Sequence, residues 1–330
     1  YLNGTEYLFG QYQKGYIGEY DFNISGNIKD RVFLGFTLGL HDVNYNSNSY
    51  YTENLERNAH SSAWESLRIS GVGVDIKLGA IFRPIENSPF RFGVYMSTPT
   101  FYDLSLKGDH DISLNNSKGQ TAPTNYDYKI YTPWKFGLSV GHTVGKNFAF
   151  GATYEYADYS SINNRINEND YYDSSSSDVN MNKHTSAMLK GVSTLKLGAE
   201  YKPVTDFSIR LGYNFVSPMF KKDAYRDGSI QSPGTMVATS TDYTNWDSTN
   251  RLTFGLGYNY KKFFFDAAFQ YSQTNGEFYP FMSYYPSKEN YTSAGGTVNY
   301  TAYAADFNVV DATKVSFKRS QVLLTVGYRF

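Results

Sequence analysis

The chain has 330 residues, a net charge of −1, 18% aromatic residues and no cysteine. Its mean hydropathy is −0.49, and it contains no stretch of about 18 apolar residues, so the sequence excludes a membrane-spanning helix. The lack of cysteine excludes disulfides and thiolate metal sites, and the absence of a basic run gives no support to nucleic-acid binding.

Alternating apolar and polar residues recur in short segments along the whole chain. Successive side chains of a β-strand point to opposite faces, so this period of two predicts strands with one apolar face and one small or polar face. We predict eleven strands, each long enough for the roughly 9 to 11 tilted residues that cross a bilayer. They are residues 16–26, 32–41, 72–82, 90–97, 134–141, 148–156, 195–201, 207–215, 251–260, 263–271 and 322–330.

The last of these segments is the most informative. Val322, Leu324, Val326, Tyr328 and Phe330 occupy every second position, and mostly small or polar residues lie between them. A carboxyl-terminal aromatic residue on such a strand is typical of bacterial outer-membrane barrels, in which the outward face meets lipid and the inward face meets water. The 32 tyrosines fit this environment, because a tyrosine ring is apolar while its hydroxyl needs a polar partner.

The connections between the predicted strands alternate between short and long. Short turns face the periplasm and long loops face outward in outer-membrane barrels, so the alternation predicts a transmembrane antiparallel β-barrel and its orientation. The short turns are residues 27–30, 85–89, 144–146, 203–206 and 261–262. The long polar segments are residues 46–65, 105–125, 161–184, 221–245 and 275–311.

The strand count predicts that the chain is the carboxyl-terminal part of a larger barrel. The first predicted strand runs into the short turn at Asn27, so residues 1–15 are expected to be an extracellular segment and residues 16–330 a single barrel domain. A single-chain bacterial barrel has an even number of strands with both ends in the periplasm. Twelve strands result if residues 1–12 rise as a first strand, although Asn3, Gly4, Thr5 and Glu6 suit lipid poorly.

Charged residues fall on the polar side of the predicted strands. A charge that faces lipid costs a few kcal/mol near the midplane, so these side chains are expected to face the lumen. They either pair with one another as solvated walls or hold a plug inside the barrel. The set is Glu19, Asp21, Asp75, Lys77, Arg91, Lys135, Glu155, Lys196, Glu200, Arg210, Arg251, Asp266 and Arg329.

Near the outer ends of the strands, the inward positions become apolar if the register of each strand is carried through. Such a lining beside lysines would suit an amphiphile with a long tail and an anionic head. Prolines that simply end strands explain the Thr-Pro and Ser-Pro pairs equally well. The predicted lining is Pro99, Phe101, Lys129, Tyr131, Val216, Pro218 and Phe220, with Lys221 beside it.

The five histidines give no support to catalysis or metal binding. His60, His110 and His184 lie in predicted loops, and no serine, histidine and carboxylate can be placed together on one inward face. No paired histidines stand at ligand spacing. We therefore predict no enzyme activity, no catalytic residues, no metal site and no cofactor.

Three motifs resemble a known family. They are residues 97–103 (STPTFYD), 131–138 (YTPWKFGL) and 210–218 (RLGYNFVSP), and they are similar to the FadL and TodX type of outer-membrane transport protein, the long-chain fatty-acid transporter family, and especially to its Bacteroidetes members. The resemblance covers residues 16–330. It implies a fourteen-stranded barrel with an amino-terminal plug, and this sequence shows neither the plug nor about three of the strands.

This resemblance implies a channel in the outer membrane of a Gram-negative bacterium for passive uptake of hydrophobic or amphiphilic small molecules such as long-chain fatty acids. A general porin and a surface or secretion-complex protein that uses its loops for interaction remain alternatives. The expected partners are the lipid bilayer with its lipopolysaccharide, a hydrophobic ligand and the chain's own plug. A protein partner at the extracellular loops stays open, and no nucleic acid is expected.

Overall fold

The computed structural model describes residues 4–115, 117–120, 123–168, 170–237, 242–282, 291–293, 296–298 and 311–328. The strands are β1 (Gly4–Ile28), β2 (Val32–Leu55), β3 (Ala59–Phe82), β4 (Arg91–Ser97), β5 (Phe101–Leu114), β6 (Ser117–Gln120), β7 (Thr124–Tyr131), β8 (Lys135–Val144), β9 (Phe148–Asp158), β10 (Asn163–Asn167), β11 (Ser175–Ser177), β12 (Gly191–Val204), β13 (Phe207–Val216), β14 (Tyr243–Tyr260), β15 (Phe263–Tyr279), β16 (Tyr291–Ser293), β17 (Gly296–Val298) and β18 (Thr313–Tyr328). The described residues also contain two helices, α1 (Val179–Met188) and α2 (Pro233–Val237), and two short 3-10 turns, Glu56–Asn58 and Tyr159–Ser161. None of the helices in these ranges has the length and apolar character needed to cross a membrane.

One antiparallel sheet contains sixteen of these strands, and β16 and β17 form a separate hairpin. The fold class predicted from the sequence, all-β and antiparallel, is confirmed, whereas the count of eleven strands is wrong. All eleven predicted strands are present in the sheet, the last of them as far as Tyr328, because residues 329 and 330 lie outside the described residues. The five additional strands are β5, β6, β7, β10 and β11. β5 continues the predicted strand β4, and β7 precedes the predicted strand β8, each across a short interruption. β6, β10 and β11 lie in segments predicted to be loops.

The two interruptions lie side by side, at residues 98–100 and 132–134. Each contains a proline, which cannot donate a hydrogen bond to a neighbouring strand. A side chain replaces part of the missing ladder, since the Thr100 amide donates to Thr132 Oγ1 at 2.7 Å. The predicted break of strands at the Thr-Pro pairs is therefore present, but the sheet continues beyond it.

The first interruption shifts the register against β3. Lys77 lies opposite Ser97, whereas Val74 lies opposite Phe101, so four residues on one strand span three on the other. An extra residue reverses the faces of everything that follows, because side chains alternate with a period of two.

Several predicted loops are continuous strand. Most of the predicted loop 46–65 belongs to β2 and β3, which stay paired up to Leu55 and Ala59. The boundary predicted at residue 16 is also absent, because β1 runs without interruption from Gly4 to Ile28. These stretches carry polar residues on both faces, so they pair as strands without any alternating hydrophobic signal.

The five predicted short turns are present and lie at one end of the sheet, at residues 29–31, 83–90, 145–147, 205–206 and 261–262. Positive φ angles mark several of them, among them Lys29, Asn87 and Lys261 at 51°, 57° and 55°. At the other end, β1 approaches the distant edge of the sheet: the Phe9 and Phe278 ring centroids lie 5.4 Å apart. The sheet thus curves strongly, but in the described residues β1 pairs only with β2 and β18 only with β15, so it is not closed.

Candidate channel wall and binding pocket

The two faces of the sheet differ sharply in the half next to the short turns. One face carries exposed aliphatic and aromatic side chains on every strand, and we call it the apolar face. Cross-strand partners share a face, so the register places Leu40 beside Val74, and Leu197 beside Ala152 and Tyr213. The predicted charged residues that the structure describes alternate with these and lie on the opposite face, which we call the charged face.

Three ion-pair networks span neighbouring strands on the charged face. The first joins β1 to β3: the Lys77 ammonium lies 3.0 Å from Asp21 Oδ1 and also contacts Glu19. Both acids are partly exposed, so the network is a wet surface feature rather than a dry core contact.

The second network centres on Glu155 of β9. Its carboxylate lies 3.4 Å from Lys196 Nζ and 3.8 Å from Lys135 Nζ, and it accepts a short hydrogen bond from the Tyr95 hydroxyl. Tyr95 reaches it by lying across Gly137, where any Cβ would overlap the tyrosine ring. A glycine is therefore required at residue 137 for Tyr95 to bridge two strands.

The third network joins β12, β13 and β15. Arg210 Nε donates to Glu200 Oε2 at 2.7 Å, and its NH1 donates to Asp266. Lys202 adds a contact to Glu200 at 3.2 Å. Arg91 and Arg251 lie on the same face by register, opposite Gly141 and Asn214, whereas Arg329 lies outside the described residues.

A buried polar cluster on the same face lies farther from the short turns. His41 Nε2 is 2.8 Å from Asp75 Oδ2, the Thr100 hydroxyl donates to the same oxygen at 2.9 Å, and the Tyr102 hydroxyl is 3.4 Å from His41 Nδ1. Glu19 of β1 completes the group. Sequence analysis placed Glu19 and Asp75 on this face but gave His41 no role, because the hairpin register that brings the three together was not worked out.

The structure corrects part of the predicted apolar lining. Phe101 and Tyr131 are paired, with ring centroids 4.8 Å apart, but both share a face with Val74 and so lie on the apolar face. The extra residue at 98–100 reverses the register that the prediction carried through. Pro99 lies within that interruption and is not part of a paired strand.

Lys129 is also on the face opposite to the predicted one. It lies beside Asp103, which is opposite Val72, and its ammonium is 2.6 Å from Asp173 Oδ2 and 3.5 Å from Asp103 Oδ2. Two carboxylates from the chain itself already neutralise this lysine, so it is not a free head-group contact.

The carboxyl-terminal part of the predicted lining does form a pocket. A cavity of about 620 Å³ lies at the ends of β13, β14, β15 and β18 away from the short turns, and Pro218 and Phe220 line it together with Trp246. Val216 lies on the charged face by register, next to Thr194, and is not in the wall of the pocket. The charged residues of the wall are Lys190, Lys221, Lys222, Lys314, Asp247 and Glu277.

With four lysines and two carboxylates, the pocket wall has a net positive charge next to aromatic rings. Sequence analysis found Pro218, Phe220 and Lys221 but not Trp246 or Lys314, which come from strands far along the chain. The set at Phe101 and Tyr131 is separate, because β3, β4, β8, β9 and β12 lie between β5 and β13 in the sheet order.

The apolar face carries two shallow grooves of its own. One of about 870 Å³ runs between aromatic and aliphatic residues such as Phe150, Leu211 and Phe254, and one of about 790 Å³ lies beside Phe36 and Phe136. Both have almost wholly apolar walls, so they suit hydrocarbon chains rather than a polar ligand.

No family model matches the chain, and no curated protein matches its sequence. Solved structures do match. The chain is similar to FadL-type channels. The toluene transporter TodX of Pseudomonas putida matches 98% of this chain and 89% of its own length at 10% identity, with a TM-score of 0.46.

Two further similar structures are the CymD monoaromatic hydrocarbon channel and a Pseudomonas aeruginosa FadL homologue. CymD matches 81% of this chain and 83% of its own length at 12% identity, with a TM-score of 0.41. The FadL homologue matches 94% of this chain and 78% of its own length at 12% identity, with a TM-score of 0.45.

Proposed function

We propose that the chain forms the wall of a β-barrel channel in the outer membrane of a Gram-negative bacterium, with the apolar face toward lipid and the charged face toward a wet lumen. The exposure of the apolar face carries this proposal. On β18, Val322, Leu324 and Val326 are 71%, 77% and 69% exposed, and comparable side chains stand on the same face of the other strands.

A soluble sheet would bury such a face against another layer, because burial of apolar surface stabilises by about 25 cal/mol per Å². A continuous exposed apolar surface of this extent marks an interaction with a membrane or another protein. Lipid is the partner that covers every strand of the sheet at the same level, and the short turns then lie on the periplasmic side.

We further propose that the transported molecules are hydrophobic or amphiphilic, with long-chain fatty acids as one candidate class. Phe220 and Trp246 offer rings for an apolar tail, where each buried methylene contributes about 0.8 kcal/mol. The lysines around them offer charge-assisted hydrogen bonds to an anionic head. The pocket lies at the end of the sheet where the long loops are expected to face the outside, so it would receive a ligand before the lumen does.

A binding experiment tests the pocket. We expect Phe220→Ala to weaken binding of a fluorescent long-chain fatty acid to the purified protein, and Lys221→Gln to weaken binding of the acid more than that of the corresponding alcohol. Tyr172→Ala is the matched control, because Tyr172 is an exposed aromatic outside this pocket. If Phe220→Ala and Lys221→Gln bind the acid as tightly as Tyr172→Ala and the wild-type protein do, the pocket is not the binding site.

The charged face also favours a second candidate, a general porin, since rows of paired charges line water-filled pores. Liposomes that contain the protein separate the two functions. A transporter of apolar molecules should take up a hydrophobic probe without making the liposomes permeable to small sugars. Rapid swelling in sugar solutions would instead support the porin.

A further inference from the structure

Three ligand-type side chains from β1, β2 and β3 meet on the charged face. Glu19 lies opposite His41, and His41 lies opposite Gly73, two residues from Asp75 on the same face. One potential ligand atom from each of Glu19, His41 and Asp75 lies within 4.8 Å of the others. A second observation is needed to distinguish a ligand site from a set of structural ion pairs.

Asp75 supplies that observation. Its side chain is only 4% exposed, and while Oδ2 receives Thr100 and His41, Oδ1 is buried with no hydrogen-bond partner. Buried carboxylate oxygens are normally satisfied, because an unpaired one loses its hydration without compensation. The unused lone pairs of Oδ1 therefore point to a missing electropositive partner.

A glycine on the neighbouring strand allows this oxygen to approach the backbone closely. A Cβ at Gly39 would lie 2.5 Å from Asp75 Oδ1 and 3.2 Å from Asp21 Oδ1, so two carboxylate oxygens converge over a residue that has no side chain. Lys77 contacts Glu19 and Asp21, but Glu19, Asp21 and Asp75 still set three carboxylates against one ammonium. The cluster therefore carries an excess of negative charge around the Asp75 carboxylate.

We propose that Glu19, His41 and Asp75 bind a divalent transition-metal ion, with Zn²⁺ as the best-matched probe. A neutral imidazole with carboxylates suits Zn²⁺ or Mn²⁺, whereas Ca²⁺ prefers a site made wholly of oxygen ligands. His41 Nε2 and Asp75 Oδ2 are 2.8 Å apart and would separate slightly to take an ion at about 2.1 Å from each, while Glu19 moves toward them. Glu19 is 43% exposed and long enough to make most of that adjustment.

Such an ion would stabilise the edge of the sheet at β1. Within the described residues β1 pairs with one neighbour only, and a metal held by three strands would tie it to β2 and β3 at once. This consequence concerns the stability of the wall and does not depend on which molecule the channel carries.

Isothermal titration of the detergent-solubilised, chelator-treated protein with ZnCl₂ tests the site, with MnCl₂ and CaCl₂ in parallel. We expect one Zn²⁺ per chain, weaker Ca²⁺ binding, and a rise of the thermal unfolding midpoint with Zn²⁺. His41→Gln and Asp75→Asn should each weaken Zn²⁺ binding by at least about tenfold, because even the loss of a residue that only supports a ligand costs that much. Lys77→Gln should strengthen it, since the competing ammonium is removed.

The matched control is His110→Gln. His110 is also buried beside a carboxylate, with its Nδ1 3.4 Å from Glu65 Oε2, but it lies outside this group, so Zn²⁺ affinity should not change. Heat-modifiable migration shows whether each variant is folded, and Glu19→Gln, at an exposed position, provides the ligand test if the buried variants fail to fold. No Zn²⁺ binding by the wild-type chain, or undiminished binding by a folded Glu19→Gln, His41→Gln or Asp75→Asn variant, would overturn the proposal.

Discussion

The half of the sheet next to the short turns and the half away from them are built from the same paired strands but follow different sequence rules. Near the turns, Leu252, Phe254 and Leu256 of β14 are exposed on the apolar face, while Arg251 and Thr253 turn the other way. Away from the turns, β2 continues through residues 44–55 with asparagine and tyrosine on one face and serine and tyrosine on the other, yet pairs with β3 throughout.

This contrast shows what creates the alternating pattern. A backbone ladder needs only paired amides and carbonyls, whereas a hydrophobic period of two needs a difference in solvent between the two faces. The half near the turns has that difference, and the far half has water or other polar groups on both sides. The effect of a substitution on stability should therefore depend mainly on the face of the sheet in the half near the turns, and mainly on specific side-chain contacts in the far half.

The largest expected effect is a charge placed on the apolar face. Phe254→Arg should cost about 2–4 kcal/mol of folding free energy in lipid if residue 254 is near the midplane, because the guanidinium loses its hydration. The free energy of unfolding in urea, measured with the protein in phospholipid vesicles, checks this.

The neighbouring residue provides the control. Thr253→Arg adds the same side chain one position away on the charged face, where the cost should be much smaller. Equal costs for the two variants would mean that the faces do not meet different solvents.

A second prediction concerns the Tyr95 bridge on the charged face. Gly137→Ala should cost about 1–3 kcal/mol, because the new methyl group overlaps the ring and forces Tyr95 away from Glu155. The same vesicle unfolding measurement applies. Gly198→Ala is the control, since no atom lies within 4 Å of its added Cβ. A cost at residue 137 no greater than at residue 198 would show that the bridge is unimportant.

The difference between the two halves also explains which parts of the fold and of the candidate site could be predicted from the sequence. The strand at residues 251–260 and the five short turns follow from alternation and turn chemistry, and the structure has them. The faces of Phe101 and Tyr131 were predicted wrongly, because one extra residue at 98–100 reverses the register and leaves no signal in the local pattern. The pocket residue Trp246 was missed because the strands that meet there are distant in the sequence.

The cluster of Glu19, His41 and Asp75 was missed for a related reason. Its members are separated by more than twenty residues, and only the exact register of two hairpins brings them together. The tight turn between Ile28 and Val32 would have given that register, since it sets Glu19 opposite His41.

The smallest expected effect lies in the far half, at the start of α1. Asp178 Oδ1 accepts a hydrogen bond from the Met181 amide at 3.0 Å, and Ser232 donates to its other oxygen, so one carboxylate caps the helix and joins two loops. Asp178→Ala should destabilise α1 locally by about 1 kcal/mol. Hydrogen exchange of the α1 amides should then accelerate without a change in global unfolding.

Asp178→Asn separates the cap from its charge, because asparagine is also a good N-cap residue. It should leave the exchange of the α1 amides close to that of the wild type. Exchange in Asp178→Ala that equals the wild type would show that the cap does not hold the helix.

The most direct test of the membrane wall is a single-cysteine scan of residues 251–260, which is possible without background labelling because the chain has no cysteine. Spin labels attached one at a time in the vesicle-bound protein report collision with oxygen, which concentrates in lipid, and with a water-soluble nickel chelate. The account predicts high oxygen accessibility at residues 252, 254, 256 and 258 and high nickel accessibility at residues 253, 255, 257 and 259. Accessibility to both reagents without a period of two would contradict it.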